Sequence, residues 1–130
     1  MYFCCKICKI PISKQVYSFT DLNLLCFENE KDFLPSGFFF PMDKQEYKQS
    51  FESYGLNCDF ESYFLNSNDV INIKHHSDHK RLSGCCGLSG YFGINTICIN
   101  NHEVAIEYSD CCMPYTHSLI FEKVELRNNE

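Results

Sequence analysis

The sequence contains no tryptophan, and none of its apolar runs approaches the roughly 20 residues that a membrane-spanning helix needs. Its first residues, MYFCCKICKIPISK, contain no apolar stretch as long as a signal peptide requires. It also has no internal repeat, low-complexity segment or evident linker. We therefore expect one cytoplasmic domain over residues 1–130, since single domains commonly run to about 100–150 residues.

Basic residues are also scarce, because 11 Lys and Arg stand against 17 Asp and Glu, for a net charge of −6. An acidic surface repels phosphate groups, so we expect no nucleic-acid or membrane binding. Such a surface would suit a basic protein partner, whereas the simpler interpretation is that the negative charge only keeps the protein soluble. The glycine-rich stretch GCCGLSGYFG lacks the Lys-Ser/Thr pair of a phosphate-binding loop. No pair of carboxylates is evident for acid–base chemistry. These shortages favour a binding protein over an enzyme.

Cysteine, by contrast, is abundant, with ten residues among 130. In the reducing cytosol such a chain keeps its thiols free or binds metal, whereas a secreted chain would form a disulfide scaffold. Because no signal peptide is evident, we favour metal and keep disulfides as the alternative. Five of the ten cysteines lie within residues 83–112, and a Cys5-x2-Cys8 pair lies near the first residue.

Structural zinc takes four soft ligands in a tetrahedron, and a two-residue spacer lets one tight turn present two sulfurs. Cys5 and Cys8 have this spacing, and Cys98 is predicted to end a strand just before a turn. The sequence leaves the fourth ligand open among Cys85, Cys86, Cys111, Cys112 and His117. The predicted metal ligands are therefore Cys5, Cys8, Cys86, Cys98, Cys111 and His117, around zinc.

Three cysteine doublets help to divide these roles: Cys4-Cys5, Cys85-Cys86 and Cys111-Cys112. In extended backbone, successive side chains point to opposite faces. One cysteine of each doublet is therefore predicted to face the metal or a polar site, and the other to pack in the core as a small hydrophobe. Cys26 and Cys58 stand alone among apolar residues and are predicted to be core.

Other chemistry remains open for these side chains. Cys5 and Cys8 are an alternative redox pair, although no helix begins after them to lower a thiol pKa. A Cys–His nucleophile is a further alternative, but no cysteine is marked as special. The cluster HHSDH at residues 75–79 would place two histidines on one face if it were helical, whereas a solvated loop is the simpler interpretation.

The sequence predicts an α+β fold, mostly antiparallel β, with one clear helix over about residues 43–54 and a zinc-ribbon-like cysteine cluster. The helix prediction rests on the spacing of Tyr47, Phe51 and Tyr54, with Asp43 as its cap and Gly55 as its stop.

The strand predictions rest on alternation and on runs of apolar residues. Alternating apolar residues over 97–108 predict a β-hairpin, and residues 117–126 predict one continuous strand. A further strand is predicted over residues 38–40, with Pro41 ending it.

The segments GCCGLSGYFGINTIC and SDCCMPYTH, with the N-terminal CxxC pair, resemble a group of small bacterial cysteine-rich proteins. The elements shared with that group lie at Cys5 and Cys8, Gly84–Gly87, Cys98, Asp110-Cys111 and His117. The resemblance covers mainly residues 1–12 and 82–117, and it implies zinc binding without a settled activity. Relatives often carry a CxCG-like turn where this chain has CINN, which implies either that a ligand is missing or that it comes from elsewhere.

We therefore expect a structural-zinc, non-enzymatic module that binds a protein partner. An immunity protein that neutralises a bacterial toxin by direct binding is its most concrete form. Twelve Phe and eight Tyr supply side chains of the kind that anchor interfaces. Two alternatives are a thiol redox protein and a zinc-dependent hydrolase, in which three protein ligands would leave a position for water, with His117 near Asp110.

Overall fold

The computed structural model describes residues 1–42 and 45–128. Within these residues, nine strands and one α-helix follow one another along the chain. They are β1 (Tyr2–Cys5), β2 (Tyr17–Ser18), β3 (Phe38–Met42), α1 (Gln45–Glu52), β4 (Ser62–Leu65), β5 (Ile73–His75), β6 (Thr96–Cys98), β7 (Glu103–Tyr108), β8 (Thr116–Ile120) and β9 (Val124–Arg127). Short 3-10 helices connect some of them, at Leu22–Leu24, Ser67–Asp69, His79–Arg81 and Phe121–Lys123.

Seven of the strands form one sheet in the order β2-β3-β4-β8-β7-β6-β5, and β1 and β9 form a separate two-stranded ribbon. All of these pairings are antiparallel except that of β2 with β3. The predicted α+β fold, with one α-helix in the described residues and mostly antiparallel strands, is confirmed. The predicted hairpin over 97–108 is confirmed as β6 and β7.

The centre of the sheet is buried on both faces, because successive residues of its strands enter two different apolar clusters. Phe64 and Ile120 belong to one cluster, whereas their neighbours Leu65 and Leu119 belong to the other. Side chains that alternate across a strand produce this division. The sheet is therefore a middle layer with a core on each side.

Helix α1 covers the first of these faces. Phe51 is almost fully buried, and its ring lies 5.5–5.8 Å from the rings of Phe33, Phe40 and Phe64. This contact, with the ring of Tyr47 6.1 Å from that of Phe51, confirms the predicted apolar stripe at these two residues. The helix ends at Glu52 instead of Tyr54, which lies beyond it and is 43% exposed. The predicted cap at Asp43 lies outside the described residues.

The β1–β9 ribbon covers the second face. Phe3 of β1 is fully buried, with its ring 5.1 Å from that of Phe39 and 4.7 Å from that of Tyr63. In the same cluster, Cys5 at the end of β1 and Cys98 at the end of β6 are both buried. Packing of this ribbon on the sheet therefore brings the N-terminal cysteines to the hairpin cysteine.

Two strand predictions need correction. The continuous strand predicted over 117–126 is two strands, because the turn Phe121–Lys123 takes the chain from the sheet to the ribbon. Residues 121–123 include no Gly, Pro or Asn that would mark such a change of partner in the sequence. Pro41 does not end β3, which continues to Met42; β2 pairs only with Phe38 and Phe39, so Pro41 has a strand partner on one side alone.

None of the helices in the part of the chain that the structure describes is long and apolar enough to cross a membrane.

Candidate metal centre

Four side chains from two turns form a compact group, which we call the four-ligand group: Cys5, Cys8, Cys98 and His102. Cys5 ends β1 and Cys8 lies in the turn that follows it. Cys98 ends β6, and His102 immediately precedes β7. The potential ligand atoms of the four side chains all lie within 4.8 Å of one another. They are therefore positioned to hold a metal ion.

In each turn, backbone hydrogen bonds of the cysteine at the strand end, Cys5 or Cys98, close the turn. In the first, the Lys9 N–H donates to the Cys5 carbonyl (2.9 Å), and the Cys5 N–H donates to the Ile10 carbonyl (3.0 Å). In the second, the Asn101 N–H donates to the Cys98 carbonyl (2.9 Å). Lys9 and Asn101 both have left-handed backbone, with φ of 65° and 70°. The two turns therefore present their ligands in a similar way.

The distances within this group fit a tetrahedral site. In such a site, bond lengths of about 2.3 Å to sulfur and 2.0–2.1 Å to nitrogen place two sulfurs about 3.8 Å apart and sulfur about 3.6 Å from nitrogen. The Cys8 and Cys98 sulfurs are 3.8 Å apart. The Nδ1 atom of His102 lies 3.5 Å from the Cys98 sulfur and 3.6 Å from the Cys5 sulfur. Nδ1 is therefore the atom that His102 would offer to an ion.

Burial and polar contacts act differently on the thiols of the first turn. Cys5 is only 1% exposed, and burial raises the pKa of its thiol. A hydrogen bond from the Asn100 side chain, followed by one from the Ile10 backbone, lowers the pKa of the Cys8 thiol to about 6. Cys8 is therefore largely thiolate at neutral pH, and the thiolate is the form that binds metal.

A second cluster, the three-cysteine group, consists of Cys85, Cys86 and Cys111, whose sulfurs lie within 4.8 Å of one another. Cys85 and Cys86 are exposed, and Cys111 is half-buried. Hydrogen bonding with Cys86 is the main cause of a raised thiol pKa for both neighbours, to about 12 for Cys111. The three sulfurs are therefore crowded and interact strongly.

The carboxylate of Asp110 holds this group together. It accepts hydrogen bonds from the backbone N–H groups of Cys86 (2.9 Å), Cys85 (3.1 Å) and Cys111 (2.8 Å). These three bonds, in that order, lower the pKa of Asp110 to about 2. An ionised buried carboxylate thus fixes the backbone of the three cysteines.

Two glycines allow the backbone to approach itself at this point. A Cβ on Gly84 would lie 1.7 Å from the carbonyl oxygen of Gly87, and one on Gly87 would lie 2.2 Å from that of Ser109. No side chain fits at either position. The Gly-Cys-Cys-Gly sequence is therefore explained by the close packing of this loop on the segment that contains Ser109 and Asp110.

The structure distributes the predicted ligands over different places. Cys5, Cys8 and Cys98 come together as predicted ligands of one ion, whereas Cys86 and Cys111 belong to the separate three-cysteine group. His117 belongs to neither group within the described residues. The predicted ligands do not include His102, although the Cys98-x3-His102 spacing lies within the range seen in zinc sites. They also do not include Cys85, which was one of the candidates for the fourth ligand.

The doublet prediction holds at one end of the chain and fails further along. Cys4 is fully buried beside the candidate ligand Cys5, which is itself only 1% exposed. Cys85 and Cys86 are instead both exposed and belong to the same group, because they lie in a bend where strand alternation does not apply. The prediction is also wrong for the third doublet, since Cys112 is exposed and does not pack in the core. Cys58 is buried in the core as predicted, whereas Cys26 is half-buried.

His117 contacts polar residues instead of cysteines. Its Nδ1 lies 2.8 Å from the Ser67 hydroxyl oxygen, and its Nε2 lies 3.2 Å from Oε1 of Glu107, as an ion pair without aligned hydrogen-bond geometry. Burial raises the pKa of Glu107, but His117, Ser109 and His75 together outweigh burial and lower that pKa to about 2.

Comparisons with known proteins find no match: no family model, curated protein or solved structure is significantly similar to this chain.

Proposed function

We propose that this protein is a structural-zinc, non-enzymatic module that acts by binding another protein. The observation that carries the proposal is the four-ligand group. Three sulfurs and one imidazole nitrogen at tetrahedral separations are typical of structural zinc sites. A catalytic zinc keeps one position for water, whereas the four side chains of this group would occupy all four positions of a tetrahedral ion.

The location of this group supports a structural role. Cys5 and Cys98 belong to the apolar cluster between the ribbon and the sheet. A bound ion would therefore link β1 to the β6–β7 hairpin, two parts of the chain that are distant in sequence. When bound, zinc supplies a cross-link at this point, and the thiolates and imidazole provide its ligands.

A surface around Tyr91 supports the binding role. Tyr91 and Phe92 are 77% and 57% exposed, and their rings form an edge-to-face pair at 4.9 Å. Tyr91 also lines a cleft of about 700 Å³, and the acidic residues Glu52 and Asp59 are among its other lining residues. Exposed aromatic anchors beside acidic groups suit a basic segment of a protein partner. An immunity protein that neutralises a toxin by direct binding is the concrete form of this proposal.

Native mass spectrometry of the protein purified from its own host under reducing conditions tests both parts of the proposal. We expect bound zinc together with a stoichiometric protein partner. The double variant Tyr91→Ala/Phe92→Ala should keep zinc and lose the partner, whereas the control Phe121→Ala, at another exposed aromatic residue, should keep both. Zinc without any partner, or equal partner retention in all variants, would contradict the binding role.

A further inference from the structure

The three-cysteine group differs from the four-ligand group in the number of its ligands and in their exposure to solvent. It offers three ligands instead of four, and two of its cysteines are exposed. We propose that Cys85, Cys86 and Cys111 form a second metal site, which binds a thiophilic ion (Zn²⁺ or Cu⁺) through three thiolates and exchanges it readily with solvent.

The protein itself holds these sulfurs in place. Asp110 is buried and accepts the backbone N–H groups of all three cysteines, so the loop and the segment before Cys111 are tied to one carboxylate. At Gly84 and Gly87 the loop backbone is packed so closely against the carbonyls of Gly87 and Ser109 that there is no space even for a Cβ atom. Ligands that are preorganised in this way lose little conformational entropy when an ion binds.

The ligand set selects a soft ion. Both oxygens of Asp110 already accept backbone N–H groups, Oδ1 from Cys86 and Cys111 and Oδ2 from Cys85. The carboxylate therefore supports the loop, and the atoms that face one another in the group are sulfurs. Thiolate ligands favour Cu⁺ and Zn²⁺, whereas Mg²⁺ and Ca²⁺ prefer oxygen.

The surroundings provide access to the site. Cys85 and Cys86 are exposed to solvent. Their neighbours Gly84, Asp110 and Cys112 line the cleft of about 700 Å³ that Tyr91 also lines, although none of the three cysteines of the group does. With only three protein ligands, a bound Zn²⁺ would retain a coordination position for a small ligand from solvent, while Cu⁺ would be satisfied by three sulfurs. In the four-ligand group, by contrast, Cys5 and Cys98 are buried and Cys8 and His102 are half-buried.

Cys112 offers a matched control for this proposal. It is an exposed neighbour of Cys111 but does not belong to the three-cysteine group. The variants Cys111→Ser and Cys112→Ser therefore remove a thiol from adjacent positions, and only the first removes a proposed ligand. Circular dichroism and the melting temperature establish that both variants are folded.

The experiment is native mass spectrometry of fully reduced protein titrated with Zn²⁺ and, separately, with Cu⁺ under anaerobic conditions. We expect the wild type and Cys112→Ser to bind two ions and Cys111→Ser to bind one. A chromophoric chelator should remove the second ion at least 10-fold faster than the first. One ion in the wild type, or two in Cys111→Ser, would overturn the proposal. The variant Cys8→Ser tests the four-ligand group separately. It should lose the slowly exchanging ion and keep the rapidly exchanging ion of the three-cysteine group.

Discussion

Withdrawal of zinc from the four-ligand group should lower the melting temperature of the protein in a way that depends on free zinc. An ion that binds the folded state alone stabilises it by RT ln(1 + [L]/Kd), which is about 2.7 kcal/mol at 100 times Kd. In the zinc-free protein, the sulfurs of Cys5 and Cys98 would lie in an apolar cluster with no cation between them. The ribbon and the hairpin would lose the cross-link between them.

The expected shift in melting temperature follows from chain length. For 130 residues, an unfolding entropy of about 2.1 cal/mol/K per residue means that 1 kcal/mol changes the melting temperature by about 4 °C. At free zinc 100 times Kd, the protein should therefore melt about 10 °C above the zinc-free form. Each further tenfold increase in free zinc adds about 1.4 kcal/mol, or about 5 °C.

Differential scanning calorimetry in zinc-buffered solution measures this shift. The Cys111→Ser background isolates the four-ligand group, because it removes a ligand of the proposed second site. Adding Cys8→Ser should abolish the dependence on zinc, whereas Cys26→Ser, at a half-buried cysteine outside both groups, should retain it. A melting temperature that does not change with free zinc would refute the structural role.

Two further predictions concern the sheet and the cysteine loop. Because the pKa of Glu107 is about 2 in the folded protein, against an ordinary value of 4.5, its ionised form contributes stability above about pH 4.5 that is lost as pH falls towards 2. Glu107→Gln should therefore lower the free energy of unfolding, measured with urea, by about 1–3 kcal/mol at pH 7 and by much less at pH 2. An equal decrease at both pH values would contradict this prediction. Gly87→Ala should lower the melting temperature by about 4–12 °C, since the new Cβ clashes with the Ser109 carbonyl at a cost of about 1–3 kcal/mol; an unchanged melting temperature would show that the loop can relax.

Local patterns in the sequence were sufficient for the hairpin, the helix stripe and part of the metal centre. Alternation over residues 97–108 predicts β6 and β7, and the CxxC spacing together with a cysteine at a strand end predicts that Cys5, Cys8 and Cys98 approach one another. The hairpin and the helix depend on the pattern of neighbouring residues. The approach of the cysteines follows from the short spacing that metal-binding turns require between two ligands.

The remaining features depend on contacts that the sequence does not encode locally. The separation of Cys86 and Cys111 from the first group follows from the bonds of Asp110 and from the tight loop at Gly84 and Gly87. The change of partner after β8 depends on the ribbon that crosses the second face of the sheet. His102 was within reach of sequence reasoning, because its three-residue separation from Cys98 was a sufficient signal.

X-ray absorption at the zinc edge tests the central claim most directly. The sample is the Cys111→Ser variant loaded with one equivalent of zinc, so that the four-ligand group alone is measured. Our account predicts three sulfurs at about 2.3 Å and one nitrogen at about 2.0–2.1 Å, with no bound water. Four sulfurs, two or fewer sulfurs, or a coordinated water would contradict the assignment of Cys5, Cys8, Cys98 and His102 as a closed structural site.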